Sequence, residues 1–154
     1  MGADAEGILS KRLSLATGSR IADVRVGPAG VHLDLDSAPD QRVGRKPMLS
    51  FWLQGGLRVK NQQEEKFSSP PCPPESAREL LAPLLVGRLV TEAALDRNRN
   101  VLRLVLDDEL LLSVYPARDA DQVYPWMFYQ RSQERVEYAV VEIDRIELKE
   151  EASA

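Results

Sequence analysis

The chain has 154 residues, of which 44% are hydrophobic and 29% are charged, and its formal net charge is −4. This length is typical of one domain with a core of its own, so we predict a single domain over residues 1–154. Affinity for phosphate comes from clustered lysine and arginine, and the basic residues here are scattered among acidic ones. The charge pattern therefore argues against a nucleic-acid partner.

Cysteine usage and hydropathy point to a reducing compartment. Cys72 is the only cysteine, so a disulfide within the chain is impossible. Asp4 and Glu6 precede Lys11, which is the wrong order for a secretory signal. No apolar run approaches the roughly 18 residues needed to cross a bilayer. We expect a cytoplasmic protein without a membrane partner.

The first part of the chain predicts a short helix and a hairpin. Residues 4–15 place Asp4 at a capping position and apolar residues at helical spacing. Ile21–Val26 and Val31–Leu35 then alternate apolar and polar residues around the turn Gly27–Gly30. One face of this hairpin should be buried and the other should face water.

A second hairpin and a linker are predicted next. Ser37–Pro47 reads as a polar loop, and Met48–Leu53 and Leu57–Lys60 read as strands around a tight Gln54–Gly56 turn. Residues 61–74 are polar and then rich in proline, which removes backbone donors and favours extended chain. We interpret 61–74 as a linker or a mobile surface loop.

The clearest pattern lies in the second half of the chain. Glu75–Leu85 predicts a helix limited by Pro83, and three antiparallel strands follow at Leu89–Leu95, Val101–Leu106 and Leu110–Tyr115. The turns between these strands are rich in Asp and Asn, which tolerate left-handed backbone angles.

The remaining chain predicts two more strands. Val123–Gln130 is strongly aromatic, and Arg135–Lys149 reads as one long strand with a bulge near Val140 and Val141. Residues 150–154 should be a disordered tail. The predicted fold is mainly β, with antiparallel meanders that form a sandwich or a barrel-like core and one or two short helices.

The two halves of the chain show a weak internal similarity. Residues 18–26 align with residues 87–95, and both segments begin with a glycine followed three residues later by Ile21 or Val90. A competing alignment sets residues 53–57 on residues 106–110. We predict a possible pseudo-repeat of β-rich halves, 15–60 and 84–149, joined by the linker 61–74.

The opening Gly87-Arg-Leu-Val90 followed by a hairpin resembles small β-rich bacterial proteins of unknown function, some of which are similar to immunity proteins encoded beside toxins. The resemblance rests on the spacing of apolar residues over about half the chain, and it assigns no site. It implies a bacterial accessory or immunity-like protein.

No motif for catalysis, a cofactor or a metal is present. Asp34 and Asp36 share one strand face, and Asp107 and Asp108 share one turn, yet acidic residues are common in both settings. We therefore predict a protein without enzymatic activity. A small metal-dependent hydrolase that uses Asp34, Asp36 or Asp107 is an alternative.

The aromatic residues are the best candidates for a binding surface. Strands with large apolar residues on both faces need cover on both faces. This condition applies to the strands that carry five candidate interface residues: Trp52, Tyr124, Trp126, Phe128 and Tyr129. The sequence therefore favours a protein-binding or assembly protein whose partner is another protein or a second copy of itself, as in a homodimer. A carrier of a small apolar ligand is a further alternative.

Overall fold

The computed structural model describes residues 2–36 and 48–152, and the side chains of residues 2–4 are outside that description. The predicted loop Ser37–Pro47 lies outside the described residues, as do residues 153 and 154. Two helices, α1 (Gly2–Ser14) and α2 (Arg78–Leu85), accompany the strands, and a short 3-10 turn, Glu75–Ala77, precedes α2. The strands of the described residues are β1 (Arg20–Gly27), β2 (Gly30–Asp36), β3 (Leu49–Leu53), β4 (Gly56–Lys60), β5 (Glu65–Ser69), β6 (Val90–Asp96), β7 (Val101–Leu106), β8 (Leu110–Tyr115), β9 (Ala117–Asp119), β10 (Gln122–Tyr124), β11 (Trp126–Arg131), β12 (Arg135–Val141) and β13 (Ile146–Ala152).

The strands form two main antiparallel sheets. The six-stranded sheet has the order β1-β2-β3-β11-β12-β13, and the five-stranded sheet has the order β5-β4-β8-β7-β6. A small ribbon of β9 and β10 connects them along the chain. The mainly β, antiparallel, sandwich-like fold with two helices is thus confirmed. The prediction of one strand over Val123–Gln130 is wrong, because β10 ends at Tyr124, β11 begins at Trp126, and the two belong to different sheets.

Alternating side chains of both sheets build the core. Along β2, Val31, Leu33 and Leu35 are buried, whereas His32 and Asp34 lie on the opposite face. This is the period of two that the sequence shows. Large buried rings and leucines from both sheets fill the interior, among them Phe51, Leu102, Leu112, Trp126 and Phe128.

The predicted meander in the second half of the chain is confirmed as β6, β7 and β8, with boundaries within a residue of the expected ones. Asn100 and Asp107, in the two turns, have φ angles of 54° and 53°. These left-handed angles are the reason that Asn and Asp suit the turns.

The predicted Gln54–Gly56 hairpin is wrong, because β3 belongs to the six-stranded sheet and β4 to the five-stranded sheet. The segment carries the chain from one sheet to the other. Gly55 is needed there for space, since a Cβ atom at this position would lie 2.2 Å from the carbonyl oxygen of Tyr115. Close approach of two backbones, and not a turn, explains the glycine.

The segment predicted as a linker contains a strand. β5 lies within residues 61–74 and pairs with β4 at the edge of the five-stranded sheet. Phe67, the only large apolar residue of β5, packs against the core. An edge strand with one partly buried apolar side chain carries too weak a hydropathy pattern to be recognised from sequence.

The final strand is a hairpin and not one bulged strand. β12 and β13 pair around a turn in which the Glu142 amide donates to the Arg145 carbonyl at 2.9 Å. This turn explains why the apolar residues change from one strand face to the other near Val140 and Val141, which had suggested a bulge. β13 continues to Ala152, so the prediction of a disordered tail was wrong for residues 150–152.

The two meanders meet through reciprocal hydrogen bonds. The Gly18 amide donates to Val90 and the Gly87 amide donates to Ile21, both at 2.8 Å. Gly18 and Gly87 have φ angles of 93° and 87°. Gly18 follows α1 and Gly87 follows α2, each within a few residues of the end of the helix. The alignment of 18–26 with 87–95 sets Gly18 on Gly87 and Ile21 on Val90, so each bond is the counterpart of the other under it. A duplicated origin of the halves is not confirmed and stays a prediction.

Candidate binding surface on the six-stranded sheet

Four rings cross neighbouring strands on the outer face of the six-stranded sheet. We call His32, Trp52, Tyr129 and Tyr138 the ring row; they lie on β2, β3, β11 and β12 in that order. The ring centroids of His32 and Trp52 are 5.1 Å apart, and those of Tyr129 and Tyr138 are 5.0 Å apart, with both pairs stacked. Trp52 and Tyr129 are 6.5 Å apart and tilted. These are distances at which rings attract one another.

Strand register places the rings side by side. His32 is the Cα partner of Trp52, and Tyr129 is the Cα partner of Tyr138. Each ring follows or precedes a buried residue in its strand, so it must face away from the core. The Trp52 indole Nε1 donates to the Ala29 carbonyl at 2.8 Å, which fixes the ring against the β1–β2 turn. The surface is therefore held in place before any ligand arrives.

A pocket of about 360 Å³ opens beside the ring row. We call it the Arg131 pocket; it is lined by Arg25, His32, Asp34, Ser50, Trp52, Tyr129 and Arg131. Its wall thus combines aromatic faces with cationic and hydroxyl groups, which is the usual composition of a selective binding site.

The two arginines of the pocket differ in their partners. Arg25 donates two hydrogen bonds of 3.1 Å to the two carboxylate oxygens of Asp34. Arg131 donates from Nη1 to the Ser50 hydroxyl at 2.9 Å, and its guanidinium carbon lies 5.2 Å from the centroid of the Tyr129 ring. Arg131 has no carboxylate within ion-pair distance among the described residues, and its buried Nε has no acceptor.

Burial and charge shift the titration of groups in the pocket. Burial lowers the pKa of His32 below its ordinary value of 6.5, and the positive charges of Arg25 and Arg131 lower it further, against the effect of Asp34. Burial also lowers the pKa of Arg131 and raises that of Tyr129. His32 makes no hydrogen bond with Ser50 or Asp34 in the described structure, so these three residues do not form a nucleophilic triad.

The five predicted interface residues lie in three different places. Trp126 and Phe128 are 0% and 1% exposed and belong to the core, which leaves them no surface for a partner. Tyr124 lies on the β9–β10 ribbon. Trp52 and Tyr129 lie on the outer face, within the ring row. Sequence reasoning missed the other members because their proximity depends on which strands are neighbours.

Of the acidic residues of the alternative hydrolase site, Asp34 and Asp36 lie two residues apart on β2, but Asp107 is not brought to them. Asp34 lies in the six-stranded sheet and is occupied by Arg25, whereas Asp107 lies in a turn of the five-stranded sheet. The Asp107 carboxylate accepts from the Leu89 amide at 3.0 Å and faces Arg88. In the part of the chain that the structure describes, no group of three or more His, Cys, Asp or Glu side chains is placed to hold a metal.

The outer face of the five-stranded sheet provides a contrast. Arg103 of β7 and Ser113 of β8 form a cross-strand pair in the five-stranded sheet, as His32 and Trp52 do in the six-stranded sheet. In both cases the residues follow or precede buried apolar ones. This pair on the five-stranded sheet thus consists of an arginine and a serine, with no ring at either position.

Comparisons with known proteins do not indicate a function for this chain. No protein-family model matches the chain, and no curated protein or solved structure matches it significantly. Among the described residues, no helix is long and apolar enough to cross a membrane.

Proposed function

We propose that this protein is a non-catalytic binding protein that holds a protein partner on the outer face of its six-stranded sheet. The observation that carries the proposal is the ring row, a set of four stacked or tilted rings that are partly buried and lie outside the core cluster. Side chains of this size are rarely clustered on a surface unless the surface has a use.

The composition of the surface supports a protein as the partner. Trp, Tyr and Arg are the residues most enriched at the energetic centre of protein interfaces, and Trp52, Tyr129 and Arg131 lie together here. Strands that are adjacent lie about 4.8 Å apart, so four of them span about 14 Å. A surface of this width matches the central part of a protein–protein interface and is wider than a small-molecule ligand with a single ring would cover.

The charge of the surroundings also favours a protein over a nucleic acid. Glu147, Lys149 and Glu151 of β13 lie on one face, opposite Val140, Tyr138 and Val136 of β12, so the strand beside the ring row carries two carboxylates and one ammonium group. A phosphate backbone that crossed the ring row would meet these carboxylates. A folded partner with mixed charges would not be repelled in this way.

The test compares Trp52→Ala with Tyr115→Ala. Tyr115 is an exposed aromatic residue at the end of β8 in the five-stranded sheet and serves as the matched control. Association is measured by sedimentation for a second copy and by quantitative affinity capture for other proteins. We expect Trp52→Ala to remove a partner that Tyr115→Ala retains, with a melting temperature within a few degrees of the wild type.

Two results would refute the proposal. One is a wild-type protein that stays monomeric at high concentration and retains no protein above the level of the Trp52→Ala variant. The other is a partner whose retention depends on Tyr115 and not on Trp52.

A further inference from the structure

We propose that the Arg131 pocket receives an acidic side chain of the protein partner, whose carboxylate pairs with Arg131 while the adjoining chain packs on Trp52 and Tyr129. This inference rests on the proposed function and specifies the chemistry of the partner.

The first argument is the missing partner of Arg131. Arg12 and Arg88, which are also largely buried with 24% and 26% of their side chains exposed, have carboxylates at 3.4 Å and 2.9 Å. Arg131 is partly buried too, yet no described residue places a carboxylate within ion-pair distance of it. Asp34 is the nearby negative charge that favours the charged form of Arg131, but it makes no direct ion pair with it, and a partly buried guanidinium without a direct ion pair is costly. An incoming carboxylate in contact with Arg131 would offset that cost.

The second argument is the count of donors and acceptors. A guanidinium has five N–H groups in a planar fork. In Arg131 one of them is used on Ser50, and the Nη groups have no other acceptor among the described residues. Burial lowers the pKa of Arg131 and the charge of Asp34 raises it, but the carboxylate of Asp34 accepts its hydrogen bonds from Arg25, and none joins it to Arg131 among the described residues. The buried Nε is out of reach of a ligand, but the remaining Nη donors form an edge of the fork that a carboxylate accepts in a pair.

The third argument is local charge. The pocket contains two arginines and one aspartate, so its net charge is +1 with His32 neutral, whereas the whole chain carries −4. Trp52 and Tyr129 form low-dielectric walls beside this charge, and exclusion of water strengthens the attraction of an anion. Charge complementarity therefore selects an acidic group over a basic or neutral one.

The size of the pocket limits what enters it. About 360 Å³ accommodates one side chain and part of its neighbour. We therefore chose two probes that differ only at the charged group, acetyl-Phe-Glu-amide and acetyl-Phe-Gln-amide. The phenylalanine supplies an apolar contact for the tryptophan, and the glutamate supplies the carboxylate.

The assay uses the single histidine of the chain as a reporter. His32 is the only histidine, so its imidazole gives one resolved set of NMR signals inside the pocket. We expect the Glu peptide to shift the His32 and Trp52 signals with saturation and to bind at least about tenfold more tightly than the Gln peptide. Arg131→Gln should abolish this difference, and Arg103→Gln, on the outer face of the five-stranded sheet, should preserve it.

A second measurement on the wild type needs no variant. Affinity for the Glu peptide should fall as sodium chloride is raised, whereas the weak affinity for the Gln peptide should stay constant. Equal binding of the two peptides, binding of neither, or a difference that survives Arg131→Gln would overturn the inference.

The inference and the proposed function fail in different ways. If the peptides are not distinguished but Trp52→Ala still removes a partner, the carboxylate is wrong and the binding surface stands. If the Glu peptide binds through Arg131 but no protein depends on Trp52, the pocket recognises carboxylates, and both the protein partner and the inference that rests on it are refuted.

Discussion

The two tryptophans of the six-stranded sheet should differ sharply in their contribution to stability. Trp126 is fully buried, and its Nε1 donates to the Asn100 carbonyl at 2.8 Å inside the core. Trp126→Phe leaves that buried acceptor without a donor, which costs about 1–3 kcal/mol. The smaller ring also leaves a cavity that costs about 1 kcal/mol more. We expect a total loss of about 2–4 kcal/mol in the free energy of unfolding.

Trp52→Phe is the matched variant on the other face. Its Nε1 donates to the Ala29 carbonyl at 2.8 Å at an exposed site, where water replaces the lost donor. The expected loss is therefore below about 1 kcal/mol.

Urea unfolding measures both variants, and each retains one tryptophan as its fluorescent probe. Circular dichroism of the same samples checks that each variant unfolds in one cooperative transition. A loss of stability for Trp52→Phe that equals or exceeds the loss for Trp126→Phe would show that Trp52, and not Trp126, faces the core.

Three further predictions concern the core, a turn and pH. Leu104→Ala should cost about 2–5 kcal/mol, because Leu104 is fully buried; a loss below about 0.5 kcal/mol in urea unfolding would contradict its place in the core. Gly30→Ala should destabilise the fold, because the added Cβ would lie 2.5 Å from the Leu53 carbonyl oxygen. Gly7→Ala should stabilise the fold by about 0.5–1 kcal/mol, because Gly7 lies on α1 with open space around its Cβ position. Equal melting temperatures for the two variants would refute this prediction. Folding lowers the pKa of His32 below 6.5, so the unfolded chain binds a proton at His32 more readily than the folded chain does. The contribution of His32 to the free energy of unfolding should therefore be complete above pH 6.5 and should fall as the pH drops from 6.5 to the pKa of the folded state. His32→Gln should remove this pH dependence, and an unchanged pH profile in that variant would contradict the prediction.

Local pattern was enough to predict most strands, because the period of two is a property of each strand alone. β2 and β7 illustrate this, since every second residue in them is apolar and buried. The helix α1 was predicted over residues 4–15, but it begins at Gly2, so Asp4 lies inside the helix and the predicted cap was wrong. The Asp- and Asn-rich turns follow from local propensity.

Sheet membership could not be predicted, because it depends on contacts distant in sequence. β3 was expected to pair with β4, but its neighbours are β2 and β11. The turn between β12 and β13 was hidden because apolar residues continue on both sides of it.

The candidate site was only half visible for the same reason. Trp52 and Tyr129 were named from composition, yet no sequence pattern shows that Trp52 lies between His32 and Tyr129. Arg131 was missed because its significance is the absence of a described carboxylate partner, and partners are known only once the strands are paired.

Site-specific photo-crosslinking tests the central claim most directly. A photoreactive phenylalanine analogue replaces Tyr129 in the ring row in one sample and Tyr115 on the five-stranded sheet in another. Light should attach a protein partner, or a second copy of the chain, to position 129 and not to position 115. The product should disappear when Trp52→Ala is added to the first sample. Crosslinking at position 115 alone, or at neither position, would contradict the assignment of the outer face of the six-stranded sheet as the binding surface.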